Sequence, residues 1–381
     1  MAEKFQSLLP ALKERFEKEF VREISSDTDQ LIGVPDPYIT PGKEKRDALY
    51  YLDTYFVNLG LIRLKLVDLA RSQAENLIFL QRKLGYVPAS NLKAQSQATT
   101  LPMLPWIVRD IYRATGDKDW LSRTLPSVVE EFHFWTAKPH TTPVGLYRFA
   151  DAKKTNASSG DTTESCWVRS TRFDNSAQYN PVDLNALLYR NAILIHDLEI
   201  EADGKGDDAL LQKSEHIQKM FPLFWDDSRN FYYDNNYVDK KLSDVKSLAG
   251  YLPLFVELVD EEQANILQSN LKNFAAPGGI TVTDKKYENN GAAWSYPLLC
   301  APFLYFVIKG LSDYEFMEDA ADLGTNWLSM VYDIYEQTGE MWEWYNVQDK
   351  SVTSPTGFEN SPVLGWTAGT YIALLDTLGL G

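Results

Sequence analysis

Helix-forming segments follow one another along almost the whole chain, and this repetition limits the possible folds more than any other feature of the sequence. Apolar residues recur at three- and four-residue spacing over about a dozen stretches, the pattern of helices with one buried face. The predicted helices are about 3–24, 48–68, 70–84, 101–115, 117–137, 181–200, 207–225, 247–257, 260–273, 295–310, 313–336 and 362–379. Long polar loops separate them at 25–47, 138–180, 274–294 and 338–361. We predict an all-α toroid of paired helices, whose inner helices line a central pocket and whose loops rim its mouth.

Single residues mark several of the predicted helix ends. Asp117 is placed to cap the start of one helix, whereas Gly85 and Gly310 follow the ends of two others. Turn residues and aromatics alternate in WDDSRNFYYDNNYVD at 225–239, which predicts a turn and one hairpin. Because no linker or break in composition divides the chain, we predict one domain over residues 1–381.

The charge of the chain argues against two classes of partner. It has 37 Lys and Arg residues against 53 Asp and Glu residues, a formal net charge of −16. Nucleic acids and anionic membranes attract basic surfaces, so neither is expected as a partner. The sequence lacks the run of roughly 18 apolar residues that spans a bilayer, and its charged start, MAEKFQSLLPALKERFEKEF, does not resemble a secretory signal. We therefore expect a cytoplasmic location.

Cysteine and histidine are too few and too scattered to predict a metal site. The chain has two cysteines, Cys166 and Cys300, and four histidines, and none of them has a paired zinc-ligand spacing. It has no glycine-rich phosphate loop, so we expect neither a metal nor a cofactor. Cys166 has no histidine close in sequence that could activate it, which favours a buried small residue over a nucleophile.

Carboxylates, amides and aromatic residues are concentrated in two of the predicted loops. One holds DTTESCWVRSTRFDNS at 161–176 and the other holds GEMWEWYNVQ at 339–348. Aromatic rings stack on the apolar faces of sugars, while carboxylates, Arg and Asn bind sugar hydroxyls. These loops indicate a pocket for a small carbohydrate, although helical proteins also place Trp and Tyr in their cores.

Six segments, in chain order, resemble the trehalases and their relatives among the inverting α-glycosidases. They are PGKEKRDALYYLDTYFVNLGL at 41–61, NLKAQSQATTLPML at 91–104, ESCWVRSTRFD at 164–174, NPVDLNALLYR at 180–190, WEWYNV at 342–347 and LGWTAG at 364–369. The fourth is similar almost letter for letter to the family's Pro-Val-Asp-Leu-Asn-Ala helix start. Each segment alone is a weak signal, but six in the right order indicate a relationship to this family, though not an identical activity.

The resemblance implies an (α/α)6 barrel, with six inner and six outer helices. It also implies that a small α-glycoside, with trehalose as the reference, is hydrolysed with inversion by one acidic and one basic carboxyl group. The base falls on Glu343 in the WEWYNV segment, where Trp344 would help to shape the pocket. The residues expected at the substrate are Asp53, Gln95, Gln97, Glu164, Trp167, Arg172, Asn185, Trp294, Trp342, Tyr345 and Trp366.

The sequence departs from the family pattern at the general acid. The family's catalytic Asp follows Glu-Ser-Gly-Trp, and Val168 stands at that position here. A neighbouring carboxyl group, Asp174 before Glu164 or Asp161, would take over the role, or the substrate would carry a leaving group that needs no proton. In the third alternative the chain has lost hydrolysis and kept sugar binding.

Two further departures concern the walls of the expected pocket. Gln95 stands where the family has a sugar-binding Arg, and Leu52 stands where it has a Trp. These changes keep open hydrolysis of glucosylglycerate or mannosylglycerate, a sugar-binding protein without activity, and a different reaction on a sugar such as epimerisation. The oligomeric state is not predicted.

Overall fold

The computed structural model describes residues 2–42, 47–150, 163–167, 170–287, 294–355 and 359–381. Within these ranges the helices are α1 (Ala2–Gln6), α2 (Leu9–Glu14), α3 (Tyr51–Arg63), α4 (Val67–Leu84), α5 (Leu104–Thr115), α6 (Lys118–Thr136), α7 (Val182–Asp203), α8 (Asp208–Met220), α9 (Leu252–Phe255), α10 (Glu261–Asn270), α11 (Ala301–Asp313), α12 (Met317–Thr338) and α13 (Gly365–Thr377). The strands are β1 (Val21–Arg22), β2 (Tyr38–Ile39), β3 (Tyr179–Asn180), β4 (Trp225–Asp226), β5 (Phe231–Tyr232), β6 (Asn235–Asn236), β7 (Lys241–Leu242), β8 (Ala275–Ala276), β9 (Gly279–Ile280), β10 (Leu298–Leu299) and β11 (Tyr345–Asn346). The strands pair antiparallel in small sheets: β1–β2, β3–β6–β7, β4–β5, β8–β9 and β10–β11.

Alternate helices form a closed inner ring. Each of α3, α5, α7, α9, α11 and α13 packs on the next, and α13 returns to α3. Helices α4, α6, α8 and α12 pack on the outside of the ring, α10 follows α9 and packs on β5, and α1 packs on α12 and α13. This arrangement is an (α/α)6 barrel, which confirms the predicted fold class.

Burial distinguishes the two layers. The inner helix α13 has 11 buried residues out of 13, whereas the outer helix α8 has 3 out of 13. A helix that is apolar on all sides must be surrounded by protein, whereas one with a single apolar stripe can lie at the surface. The apolar periodicity that predicted the helices therefore also determines which layer each helix joins.

The barrel closes where its first and last inner helices meet, and this contact depends on glycine. A Cβ atom on Gly369 of α13 would lie 2.0 Å from the carbonyl oxygen of Phe56 in α3, and one on Gly60 would lie 3.0 Å from the Cα of Gly369. No other residue fits at this distance, because the two backbones are in direct contact. The close approach brings the N-terminal ends of α3 and α13 together.

Several helix boundaries differ from the prediction. The first predicted helix is divided into α1 and α2, after which a π-helical turn continues to Glu19. Gly310 lies inside α11 rather than after it, and a Cβ atom at this position would lie 2.9 Å from the backbone nitrogen of Phe255. Residues 225–242 form two hairpins instead of one, and Asp117 caps α6 as predicted by accepting a hydrogen bond from the Trp120 amide.

None of the helices in the described ranges is long and apolar enough to cross a membrane. The prediction of a single domain over 1–381 stays a prediction.

Candidate functional site

A cavity of about 450 Å³ lies where the N-terminal ends of α3 and α13 meet the loops of the barrel mouth. Its lining residues are Pro41, Tyr50, Leu52, Asp53, Ala89, Gln95, Thr100, Cys166, Trp294, Glu343, Trp344, Val363 and Trp366. These residues come from 41–100 and 294–366, with Cys166 between the two ranges. The site is therefore assembled by the closure of the barrel.

Asp53 reaches the cavity from the first turn of α3, where a carboxylate also favours the positive end of the helix dipole. Tyr51 fixes this end of the helix. Its hydroxyl donates to Glu131 on α6 at 2.5 Å and accepts from the amides of Met103 and Leu104 at 2.7 and 2.5 Å. One buried phenol thus joins the starts of α3 and α5 to α6.

The start of α13 requires glycine beside Asp53. The Gly365 amide donates to the carbonyl of Pro41 at 2.8 Å. A Cβ on Gly365 would lie 2.9 Å from the Cα of Pro41 and 3.4 Å from Oδ1 of Asp53. A larger residue would push the Pro41 wall away, so Gly365 keeps this side of the cavity narrow.

Glu343 lies on a short loop that is held at several points. Its amide donates to the carbonyl of Ser361 at 3.0 Å. The buried Tyr345 hydroxyl accepts from the Trp342 amide at 3.0 Å, and Thr367 donates to the Trp342 carbonyl at 2.8 Å. Because the loop backbone is fixed on both sides of Glu343, the direction of its side chain into the cavity is set by the fold.

Tryptophan rings form one wall of the cavity. The ring of Trp294 meets that of Trp344 edge to face at 4.3 Å and that of Trp366 at 5.8 Å. Trp167 lies fully buried behind Trp294, with 6.3 Å between ring centroids. Such rings provide flat apolar surfaces on which a sugar can stack.

Buried polar atoms of the lining residues include two whose hydrogen-bond partner is missing among the described residues. They are the hydroxyl oxygen of Thr100 and the indole nitrogen of Trp366, both buried. Buried polar atoms are nearly always paired in folded proteins. Two unpaired atoms around one cavity therefore favour a polar ligand.

Five of the residues predicted to be catalytic or to bind the substrate line the cavity: Asp53, Gln95, Trp294, Glu343 and Trp366. Leu52 and Trp344, which were expected in its walls, line it as well. Sequence reasoning missed Pro41, Tyr50, Ala89, Thr100 and Val363, although all but Ala89 and Val363 lie within the segments that resemble the family. Tyr50 and Thr100 could have been found from their positions, three residues before Asp53 and three residues after Gln97. Ala89 and Val363 have no sequence signal, because only their place in the fold brings them to the cavity.

Arg172, predicted to bind the substrate, instead forms a buried ion cluster that we call the Arg172 cluster. Its guanidinium donates to both carboxylate oxygens of Asp183, at 2.6 and 2.7 Å, and to both oxygens of Asp234, at 2.7 and 2.6 Å. Burial raises the pKa of Asp234, and attraction to Arg172 opposes the rise. The cluster fixes the start of α7 to the segment after β5, so it has a structural role.

Four other predicted residues are buried among protein partners rather than at the cavity. Glu164 accepts from the Ala150 amide at 2.6 Å and contacts His140 at 3.2 Å. Asn185 exchanges two hydrogen bonds of 2.9 Å with the backbone of Tyr147. The other two are Trp167 and Tyr345, which support the tryptophan wall and the Glu343 loop.

The structure does not bring the remaining three predicted residues to the cavity. Gln97 is exposed, and the half-buried Trp342 directs its indole N–H toward Thr338 at 3.4 Å. Asp174, the expected acid, is exposed and accepts a hydrogen bond from the Asn175 amide at 2.8 Å. Val168 and Asp161 lie outside the described residues.

Cys166 was predicted to be a buried small residue, but it is half-buried and lines the cavity. Its φ of 56° lies in the left-handed region, where the resembled motif has glycine. Burial above all raises the pKa of the Cys300 thiol, and the nearby Cys166 and Glu343 raise it further. The two thiols therefore differ in access, one toward the cavity and one behind it.

The described residues include no group of three or more His, Cys, Asp and Glu side chains that could hold a metal ion. The expectation of no cofactor stays a prediction.

Comparison with known proteins identifies the family. The family model for trehalase matches residues 1–169 and 146–379. A trehalase from Apis mellifera is 26% identical over 416 residues, covering 93% of this chain and 65% of that protein. A periplasmic trehalase from Shigella flexneri is 24% identical, covering 92% and 70%. The chain thus spans about two thirds of the length of these relatives.

Solved structures share the fold. The neutral trehalase of Saccharomyces cerevisiae superposes with a TM-score of 0.78 at 21% identity, covering 99% of this chain and 80% of that chain. A GH63 mannosylglycerate hydrolase from Thermus thermophilus, in complex with glucose, gives 0.73 at 16% identity, covering 98% and 99%. The family match extends over nearly all of the sequence, and the chain therefore belongs to the trehalase family.

Proposed function

We propose that this chain hydrolyses a small α-glycoside such as trehalose with inversion, and that Glu343 is the general base. The observation that carries the proposal is Glu343 itself, fixed on a held loop in the tryptophan-walled cavity of a trehalase-family barrel. In this mechanism the Glu343 carboxylate removes a proton from the attacking water, and Asp53 accepts hydrogen bonds from sugar hydroxyls. Stacking on Trp294 and Trp366 orients the sugar ring.

The acid half of the mechanism depends on the leaving group. Asp174 is exposed and is not among the cavity-lining residues, so we do not assign the acid role to it. We propose that hydrolysis proceeds with little protonation by the protein and is fastest for substrates with good leaving groups. The absence of a general acid usually slows such a reaction by about 10²–10⁴-fold.

A second candidate is the hydrolysis of glucosylglycerate or mannosylglycerate. The mannosylglycerate hydrolase is matched over 99% of its length, whereas the trehalase relatives are longer than this chain. A compact barrel is sufficient for a disaccharide-sized substrate of either kind. The predicted cytoplasmic location stays a prediction, since a periplasmic relative is among the similar proteins.

Proton NMR tests both candidates through the first-formed anomer. The protein would be incubated with trehalose, glucosylglycerate, mannosylglycerate and α-glucosyl fluoride. Initial β-anomer from one natural glycoside establishes inversion and identifies the substrate. Release from the fluoride alone supports a working base without an acid, whereas no release from any of the four favours a sugar-binding protein and contradicts the proposal.

A further inference from the structure

A second cleft, which we call the α10 cleft, lies between α10, the turn after β4 and Lys246. It has a volume of about 580 Å³ and shares no lining residue with the cavity that holds Glu343. Three of its ten lining residues are cationic, Arg229, Lys246 and Lys272, and one is acidic, Glu262. Cations therefore outnumber acidic residues in the lining of this cleft, whereas the chain as a whole has a net charge of −16.

Lys246 forms the floor of the cleft. Its half-buried ammonium donates to Oδ1 of Asn270 and lies 4.6 Å from the ring centroid of Phe231. Among the described residues no carboxylate lies within ion-pair distance of this ammonium. Burial lowers its pKa, the more distant Asp284 opposes the fall, and Arg229 adds to it. A half-buried charge without a direct ion pair is costly, and an anionic ligand would offset part of that cost.

The residue that holds Lys246 is itself fixed. Asn270 is more than nine-tenths buried, and its amide nitrogen donates to the carbonyls of Asn230 and Ile266, both at 2.9 Å. The Asn270 side chain, which accepts the hydrogen bond from the Lys246 ammonium, is therefore held in this orientation. Two of the three N–H donors of the ammonium have no acceptor among the described residues.

Two cationic residues, Arg229 and Lys272, lie at the rim of the cleft and differ in their partners. Arg229 is held by Asp226 at 2.6 Å and by the Ser243 carbonyl at 2.9 Å, with Asp244 at 3.6 Å. Lys272 is exposed and forms no ion pair within the described part of the chain. A compact anion with several acceptor oxygens would accept hydrogen bonds from Lys246 at the floor and from Lys272 at the rim.

We propose that the α10 cleft binds the phosphoryl group of a small molecule, with Lys246 as the floor contact and Lys272 as a rim contact. The lining contains no aromatic residue, which argues against a second site for an uncharged sugar. The shared chemistry of free phosphate and a phosphate ester is the compact tetrahedral oxyanion, and the experiment distinguishes these two sources.

Isothermal titration calorimetry at fixed ionic strength would measure the Kd of inorganic phosphate and of glucose 6-phosphate for the wild-type chain. Lys246→Met keeps the apolar stem and should weaken binding by about tenfold or more, the loss of one charge-assisted hydrogen bond. Lys219→Met removes the same charge from the exposed face of α8, and it should leave the Kd unchanged. Tighter binding of glucose 6-phosphate identifies an ester as the ligand, and tighter binding of phosphate identifies the free ion.

A second variant keeps the proposal testable if Lys246→Met does not fold. Lys272→Glu reverses an exposed rim charge, leaves the floor intact and should also weaken binding of the tighter anion. Equal weakening by Lys219→Met and Lys246→Met would reduce the effect to overall charge and overturn the proposal. Absence of binding of both anions to the wild-type chain would overturn it as well.

Discussion

Two groups of charged residues in this barrel have different surroundings. The Arg172 cluster holds one guanidinium between two carboxylates, all buried and joined by four hydrogen bonds. Asp53 and Glu343 instead line a cavity large enough for a sugar. Arg172 and Asp183 of the first group and both residues of the second lie in segments that resemble the same family, so motif order alone does not separate the two groups.

The difference lies in what surrounds each group. The Arg172 side chain is enclosed by Trp167, Phe173 and the two carboxylates, and every face of it is in contact with protein. The loop that carries Glu343 is held by hydrogen bonds of its backbone, and Glu343 lines the cavity. A buried charge whose hydrogen bonds are all made within the protein, such as that of Arg172, is not available to a ligand.

The largest expected effect comes from removing the base. Glu343→Gln should lower kcat/KM by about 10²–10⁴-fold, because water is no longer activated, with little change in Tm. The matched control is Glu359→Gln, an exposed carboxylate of a nearby segment. The activity is measured on the substrate identified by NMR. Near-normal turnover of the Glu343 variant would contradict its assignment as the general base.

Arg172→Met should act on stability rather than on chemistry. It leaves two carboxylates buried without their cation, and we expect the free energy of unfolding to fall by about 3–5 kcal/mol. Urea unfolding measures this loss, and kcat of the folded fraction should change little. A large fall in kcat at unchanged stability would instead return Arg172 to the substrate-binding role that the sequence suggested.

Glu131 extends the comparison to a buried carboxyl group that forms no ion pair with a described residue. Burial raises its pKa to about 8, and the hydrogen bond from Tyr51 opposes the rise. Because the folded pKa exceeds the unfolded value of 4.5, the folded chain binds the extra proton between these values, and stability falls as the pH rises through this window. The limiting slope of this contribution is about 1.4 kcal/mol per pH unit.

The measurement compares urea unfolding of the wild type and Glu131→Gln from pH 5 upward. The variant should lose this part of the pH dependence, whereas the exposed control Glu130→Gln should keep it. Identical pH profiles for the wild type and Glu131→Gln would show that the carboxyl is not held protonated.

A smaller effect is expected on the rates at which the two cysteine thiols are chemically labelled. Iodoacetamide should label Cys166, which lines the cavity, and leave the fully buried Cys300 unmodified in the native protein. A sugar that fills the cavity should slow the labelling of Cys166 by a few-fold. Mass spectrometry of the digested protein measures both rates. Equal labelling of the two cysteines would contradict the position of Cys166 at the cavity and the burial of Cys300.

The smallest effect is expected at Asp174. Because this carboxylate is exposed and does not line the cavity, Asp174→Asn should leave kcat/KM within about twofold of wild type, as for most surface changes. A loss comparable to that of the Glu343 variant, measured on trehalose, would instead assign the general acid to Asp174.

Much of the fold could be predicted from the sequence because its signals are local. Apolar periodicity located nearly every helix, and a capping residue such as Asp117 marked where a helix begins. Gly310 was misjudged because the same residue type ends helices and permits close packing between them. Only the neighbouring backbone of Phe255 shows which of the two applies.

The sequence by itself determined the family, the order of the helices and the segments that contribute to the site. Only the tertiary structure decided that Glu343, Asp53 and Trp366 share a cavity while Arg172, Glu164 and Asn185 are buried among protein partners. The physical reason is that hydrogen-bond satisfaction depends on groups far apart in the chain, such as Asp234 for Arg172. A motif records which residue types are present, and the folded neighbourhood determines whether their polar groups remain available to a substrate.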